Sequence, residues 1–303
     1  MSLWYIILFI LNYRKGFIMK RPTLHKLIFS ILLFAISFLA LFISHKSSAF
    51  ADWYSSTIYP LFVSSIGRFF GIFPFSVSEI GLYIFVILLF LSLIRMLVSS
   101  IYKMYAQKKN PAWLGYGSSL LLLCGCLFTI YTFFCGINYG HTSFAEKYHL
   151  ESGQYTLAEL TSLCNELTDQ LNALSDSLDR DSDGLADMGK DLQDRARAAM
   201  FSLGTTYPEL SGYYPQPKGL LFPAFLSVQN LSGIYSPFTI EANYNSAMVS
   251  YNLPFTICHE LSHLRGFMQE EEANFIGFLA CVNADDYRLQ LQRLSSWLDL
   301  RNQ

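Results

Sequence analysis

Residues 254–281 read PFTICHELSHLRGFMQEEEANFIGFLAC and contain the motif His259-Glu260-Leu261-Ser262-His263, an HExxH pattern. Four residues is about one helical turn, so on a helix both imidazoles leave the same face and can hold a single Zn²⁺. Glu260 is offset beside them, where a general base can take a proton from the attacking water. Pro254 suits the first turn of such a helix and Gly266 its end. Ile257, Cys258, Leu261 and Leu264 make the rest of the segment apolar enough to be buried. Buried His and Glu need partners, and a metal supplies one. Two surface histidines on an ordinary helix would not need this apolar setting.

A catalytic zinc needs a third protein ligand and an open position. A second helix starting near Glu270 places Glu270, Ala273, Asn274 and Gly277 on one face. The small residues at 273 and 277 let that face approach the HExxH helix closely. Glu270 is therefore the expected third ligand, and Asn274, one turn on, is expected to hold a ligand by a hydrogen bond from behind. Glu271 is the alternative, but choosing it or Glu272 turns Ala273 and Gly277 away from the metal. The remaining acids are expected to be solvated charges at a helix N-terminus, which favours them.

HExxH followed by E-x-x-A-N resembles the gluzincin pattern, in which a Glu on a following helix is the third ligand. In membrane-embedded gluzincins of the CAAX-prenyl-protease type the second motif reads E-x-x-A-D. The resemblance implies His259 and His263 as ligands, Glu260 as general base and Glu270 as third ligand, with Asn274 standing where that pattern has Asp. The chain also resembles, over most of residues 50–285, a bacterial family of membrane proteins catalogued as domain of unknown function 3810. The stretches that carry this are Phe73-Pro74-Phe75-Ser76, the run from Gly233 to Thr239, Glu241-Ala242-Asn243 and the 254–281 block. That family has no established substrate, so the resemblance implies a zinc-peptidase architecture and leaves its target open.

Upstream of the motif the composition changes. Of 303 residues 52% are apolar and only 15% charged, against roughly 25% charged in an ordinary soluble domain. Residues 1–140 hold 11 Lys/Arg and 2 Asp/Glu, a net of +9, whereas residues 141–303 hold 10 and 21, a net of −11. A basic, apolar half followed by an acidic half predicts a membrane anchor joined to a water-exposed domain. It argues against a nucleic-acid partner, since the acidic half would repel phosphate. Three apolar stretches, at about 27–44, 80–99 and 116–138, approach the roughly 20 residues that a bilayer crossing needs.

Arg14, Lys15, Lys20, Arg21 and Lys26 precede the first stretch, and Arg95, Lys103, Lys108 and Lys109 cluster between the second and third. The loop between the first two carries only Lys46 and Arg68. The positive-inside rule then predicts a cytoplasmic N-terminus (1–26), a membrane domain of three spans (27–140) and an extracytoplasmic domain (141–303); the family resemblance implies that the membrane is a bacterial cytoplasmic one. Met19 is a second possible start. Ala49-Phe50-Ala51 has the small-x-small pattern of a signal-peptidase site, but the 18-residue apolar core before it is long for a removable signal. The aromatic loop 45–78 is expected either at the membrane interface or packed on the outer domain.

In the outer domain, helices are expected over 156–178 and 186–203, then a Pro-punctuated loop, then strands within 233–244 beside the HExxH helix. Asp179–Gly184 looks like the start of a calcium loop, but Lys190 stands where the bidentate Glu belongs, so a solvated acidic turn is expected. Cys164, Cys258 and Cys281 are an odd number, and no disulfide is expected. The fold expected is a mainly α membrane protein: three transmembrane helices, then an extracytoplasmic α+β zincin-like domain. The function expected is a membrane-anchored zinc metallopeptidase acting on a peptide or protein substrate. The main rival is a zinc-containing signalling or scaffold protein without turnover, disfavoured because a purely structural site has no need of Glu260. A transporter is disfavoured by spans with almost no charge inside them. Tyr235, Tyr244, Arg265 and Tyr287 are the candidate oxyanion donors, and an edge strand within 233–244 could accept substrate as an added strand.

Overall fold

The computed structural model describes residues 21–106, 113–150, 153, 156–175, 180, 182, 184, 187–286 and 288–290. The basic residues before Arg21, Met19, Lys108 and Lys109, most of the 179–184 turn and Tyr287 lie outside the described residues. The helices are α1 (Arg21–Lys46), α2 (residues 48–70), α3 (Val77–Tyr105), α4 (Trp113–Phe134), α5 (Leu157–Ser175), α6 (Leu192–Thr206), α7 (Leu253–Leu264) and α8 (Glu270–Val282). The strands are β1 (Lys218–Gly219), β2 (Gly233–Ser236) and β3 (Glu241–Tyr244).

Three helices, α1, α3 and α4, are long and apolar enough to cross a membrane. The first two run past both ends of the expected spans. Helix α4 instead stops at Phe134, short of 138, and a 3₁₀ turn follows over Gly136–Gly140. The chain after the stop packs closely against the end of α1. A Cβ on Gly136 would lie 2.7 Å from the Leu41 side chain, and one on Gly140 2.8 Å from the Ser44 carbonyl carbon.

The chain forms two compact units, one of residues 1–37 and 88–129, the other of 38–87 and 130–303. In the first, hydroxyl and small side chains join α1 to α4. The Ser37 and Thr129 hydroxyls are 3.0 Å apart, Lys26 Nζ donates to Ser119 Oγ at 2.7 Å, and the Phe34 and Phe128 rings lie 5.7 Å apart.

The second unit begins well before residue 141, because 48–70 is a helix that enters its core. Ala51, Tyr54, Tyr59, Val63 and Gly67 are its buried positions. The step of five from Tyr54 to Tyr59 is taken up by a π turn in which the Tyr59 N–H reaches the Tyr54 carbonyl. Pro60, which has no N–H to give, follows directly. Around α2 the core gathers Leu203, Ile240, Leu261, Leu264 and Ile276. The sheet order is β1-β3-β2, with β1 parallel and β2 antiparallel to β3, and both β2 and β3 pack on α7. Helix α6 starts at Leu192 rather than 186, after a turn in which Gly189 takes a φ of +71°. All six cysteines are free.

A buried acid joins the sheet to the start of α3. The Glu241 carboxylate accepts the Val77 and Ser78 N–H groups at 3.1 and 2.7 Å, filling positions that a helix start leaves without partners. It also pairs with Lys218, and both side chains are 2% exposed. Glu79 returns the contact, accepting the Leu221 and Phe222 N–H groups at 2.8 Å each. Glu241→Gln would leave the Lys218 charge buried without its counter-charge. The expected cost is about 3–5 kcal/mol, seen as a large fall in thermal midpoint of the solubilised protein. An unchanged midpoint would show that the pair does not hold this joint.

Candidate metal centre

Helix α7 carries Pro254 in its first turn and ends through Gly266, whose φ of +103° lets the chain reverse. The Gly266 N–H reaches the His263 carbonyl at 2.9 Å and the Phe267 N–H reaches Ser262 at 3.2 Å. This tight turn lets the next helix start after five intervening residues. Helix α8 then packs on α7 through its small face. Ala273 is fully buried, and a Cβ on Gly277 would lie 3.0 Å from the His259 nitrogen and 3.3 Å from its Cα. Gly277→Val should therefore push the helices apart and weaken zinc retention by about 10–100-fold, the range for disturbed support of metal ligands. Zinc content after dialysis measures this, and full retention would refute the close-packing argument.

That packing brings His259, His263 and Glu270 together, with one ligand atom from each within 4.8 Å of the others. Glu270 Oε2 is 3.3 Å from His259 Nε2, and Oε1 is 3.6 Å from His263 Nε2. A tetrahedral zinc with bonds of about 2.0–2.1 Å has ligand atoms about 3.3–3.4 Å apart, close to the two His–Glu270 separations. His263 Nδ1 lies 2.8 Å from the Phe267 carbonyl. A carbonyl can only accept, so Nδ1 carries the proton and Nε2 presents its lone pair to the cluster. Burial, helped by His259, lowers the His263 pKa to about 4 and keeps the ring neutral, as a ligand must be. A hydrogen bond from His259 holds the Glu270 carboxyl below its ordinary range.

Glu260 is buried at 4% exposure, and Oε2 has no hydrogen-bond partner among the described residues. Loss of water around it, and then the negative Glu270 nearby, raise its pKa well above the ordinary carboxylate value. A cation held by the neighbouring ligands would favour the ionised form again. Gly233 on β2 makes room for this side chain, since a Cβ there would fall 2.7 Å from Glu260 Cγ.

The other expected roles divide. Glu271 is exposed, as a solvated acid should be, but Glu272 is not solvated. It accepts the Phe144 N–H at 2.5 Å and lies 3.7 Å from His141 Nε2. Asn274 lines the cleft but supports neither histidine: His263 is held by the Phe267 carbonyl, and His259 Nδ1 has no partner among the described residues. Tyr235 reaches the cleft, yet its hydroxyl is 2.8 Å from that of Tyr59 and donates to the Phe134 carbonyl at 3.2 Å. Tyr244 accepts from Gln193 at 2.6 Å, and Arg265 donates to the Glu209 carbonyl at 3.3 Å; neither lines this cleft.

The cleft has a volume of about 670 Å³. His259, His263, Glu270 and Glu260 form one part of its wall, and Tyr131 and Tyr139 another. Strand β2, at the edge of the sheet, lines it through Gly233 to Tyr235. Sequence reasoning passed over Tyr139. The residue is 47% exposed, and burial and Cys135, then Glu270, raise its pKa. Its signal was a tyrosine at the end of an apolar span.

Residues 54–292 match the family model described as protein of unknown function, DUF3810. No curated protein matches the chain, and no solved structure does.

Proposed function

We propose that this chain, which belongs to the DUF3810 family of proteins of unknown function, is a membrane-anchored zinc metallopeptidase. The observation that carries the reading is the grouping of His259, His263 and Glu270 beside a buried acid, at the mouth of a cleft edged by a strand. His259, His263 and Glu270 would hold the ion. When bound, zinc supplies a Lewis acid that polarises the scissile carbonyl. Glu260 takes a proton from the attacking water and passes it to the leaving amine. Tyr139, which lines the same cleft, is our candidate to donate a hydrogen bond to the developing oxyanion. The free edge of β2 can take the substrate backbone as a further strand, which orients the scissile bond across the cleft.

The purified full-length protein is expected to hold one zinc per chain and to cleave dye-quenched casein. Chelation should stop the cleavage, and added zinc should restore it. A chain that holds one zinc and cleaves nothing would instead be a zinc scaffold.

The membrane arrangement supports an active site on the outer side. The C-terminal end of α1, the N-terminal end of α3 and the C-terminal end of α4 all belong to the compact unit that contains the cleft. The other ends of α1 and α3 carry Arg21 and Lys26, and Arg95 and Lys103. Read by the positive-inside rule, this Lys/Arg bias favours a cleft on the outer side of a bacterial cytoplasmic membrane. Protease added to intact spheroplasts should digest residues 141–303. Protection until lysis would invert the topology.

A further inference from the structure

Residues 219–258 contain a single charged residue, Glu241, and that one is buried against Lys218. This is unexpected in a half of the chain with a net charge of −11. The uncharged stretch is not simply core. Leu221, Phe222, Phe225, Val228, Ile234 and Phe238 are all exposed, Phe222 at 63% and Val228 at 86%. Single exposed apolar residues need no explanation, but a run of this kind marks a contact surface.

Its position says what the contact is. The Leu221 and Phe222 backbones are fixed by Glu79 in the first turn of α3, and the Phe222 ring lies 5.7 Å from that of Tyr83, one turn further on. Leu82, Ile84 and Val86, on the same stretch of α3, are exposed as well. The apolar exterior of a membrane-length helix thus continues onto residues 221–222 with no exposed charged side chain between them, since the Glu79 carboxylate at the joint is buried.

We propose that residues 219–238 form a bilayer-contacting face, and that the cleft beside it takes polypeptide anchored in the membrane. The second half rests on the peptidase reading. The link is structural: Leu231, Gly233, Ile234 and Tyr235 belong to this segment and also line the cleft, with Tyr131 and Tyr139 of the α4 end as neighbours. A cleft bounded by a bilayer-contacting segment and the end of a membrane helix opens at the membrane surface. A chain tethered there arrives at high effective concentration, whereas a free one must diffuse in.

The face is tested without any assay of cleavage. Nitroxide labels go at Phe222→Cys and Val228→Cys, with Asp169→Cys on α5 as control, in full-length protein in phosphatidylcholine–phosphatidylglycerol vesicles. Cys124→Ser and Cys126→Ser remove the exposed cysteines, and the other four are buried. Collisions with oxygen should exceed those with a water-soluble nickel chelate at 222 and 228, and the order should reverse at 169. Nickel access at 222 and 228, or shielding from both reagents as in a protein–protein contact, would overturn the proposal.

Dye-quenched casein with and without palmitoyl chains tests the substrate class. The wild type in vesicles should cleave the palmitoylated form faster by roughly 10²-fold, and Phe225→Asp with Val228→Asp should reduce that ratio. Equal rates would overturn membrane-anchored substrates. Cleavage of neither form, with the 228 label in the bilayer, would reject the peptidase reading and leave the face standing.

Discussion

Glu260→Gln is expected to lower peptide hydrolysis by about 10²–10⁴, the usual contribution of a positioned acid–base group, with zinc content and thermal midpoint unchanged. The amide is nearly isosteric with the acid, so it fits the space that Gly233 leaves beside it. Oε2 has no hydrogen-bond partner among the described residues, so the exchange breaks no contact there. What the amide cannot do is accept a proton from water. Activity and stability should therefore separate, which is unusual for a residue buried at 4% exposure. Hydrolysis at the wild-type rate with zinc in place would remove Glu260 from the mechanism.

The two helices that carry the candidate ligands were legible because their information is local. Spacing by four puts two imidazoles on one face, Gly266 ends α7, and small residues at 273 and 277 choose which face of α8 meets it. Features that depend on distant partners were not legible. Nothing near Glu272 in sequence says that its carboxylate will accept the Phe144 N–H, 128 positions away. The run 48–70 read as an aromatic loop because its buried positions follow no single helical period. The π turn at Tyr54–Ile58 inserts the extra residue that breaks it. The stretches Phe73–Ser76 and Glu241–Asn243 are linked to each other in the sequence only by a family resemblance. They prove to flank a single joint, in which Glu241 accepts the Val77 and Ser78 N–H groups and Asn243 Nδ2 lies 3.3 Å from Ser78 Oγ.

The proposed metal ligands should rank by burial as well as by chemistry. His263→Ala removes a neutral, buried donor whose Nδ1 proton is fixed by the Phe267 carbonyl, so no water-exposed substitute can take its place. Disturbing a residue that only supports a metal ligand costs about 10–100-fold in affinity, and losing the ligand itself should exceed that. His259→Ala should behave alike, since it leaves two donors where a catalytic zinc needs three. Glu270→Gln is the milder change. The side chain is 72% exposed, so the amide is solvated without strain, and the expected result is an intact fold with weaker zinc. Glu271→Gln, on the solvent side of the same turn, should change nothing. Competition with a zinc-binding dye across the four variants gives the order directly. If Glu271→Gln loses the metal while Glu270→Gln keeps it, the third ligand is one residue along α8. A His263→Ala protein at wild-type affinity would mean that the trio does not bind zinc at all.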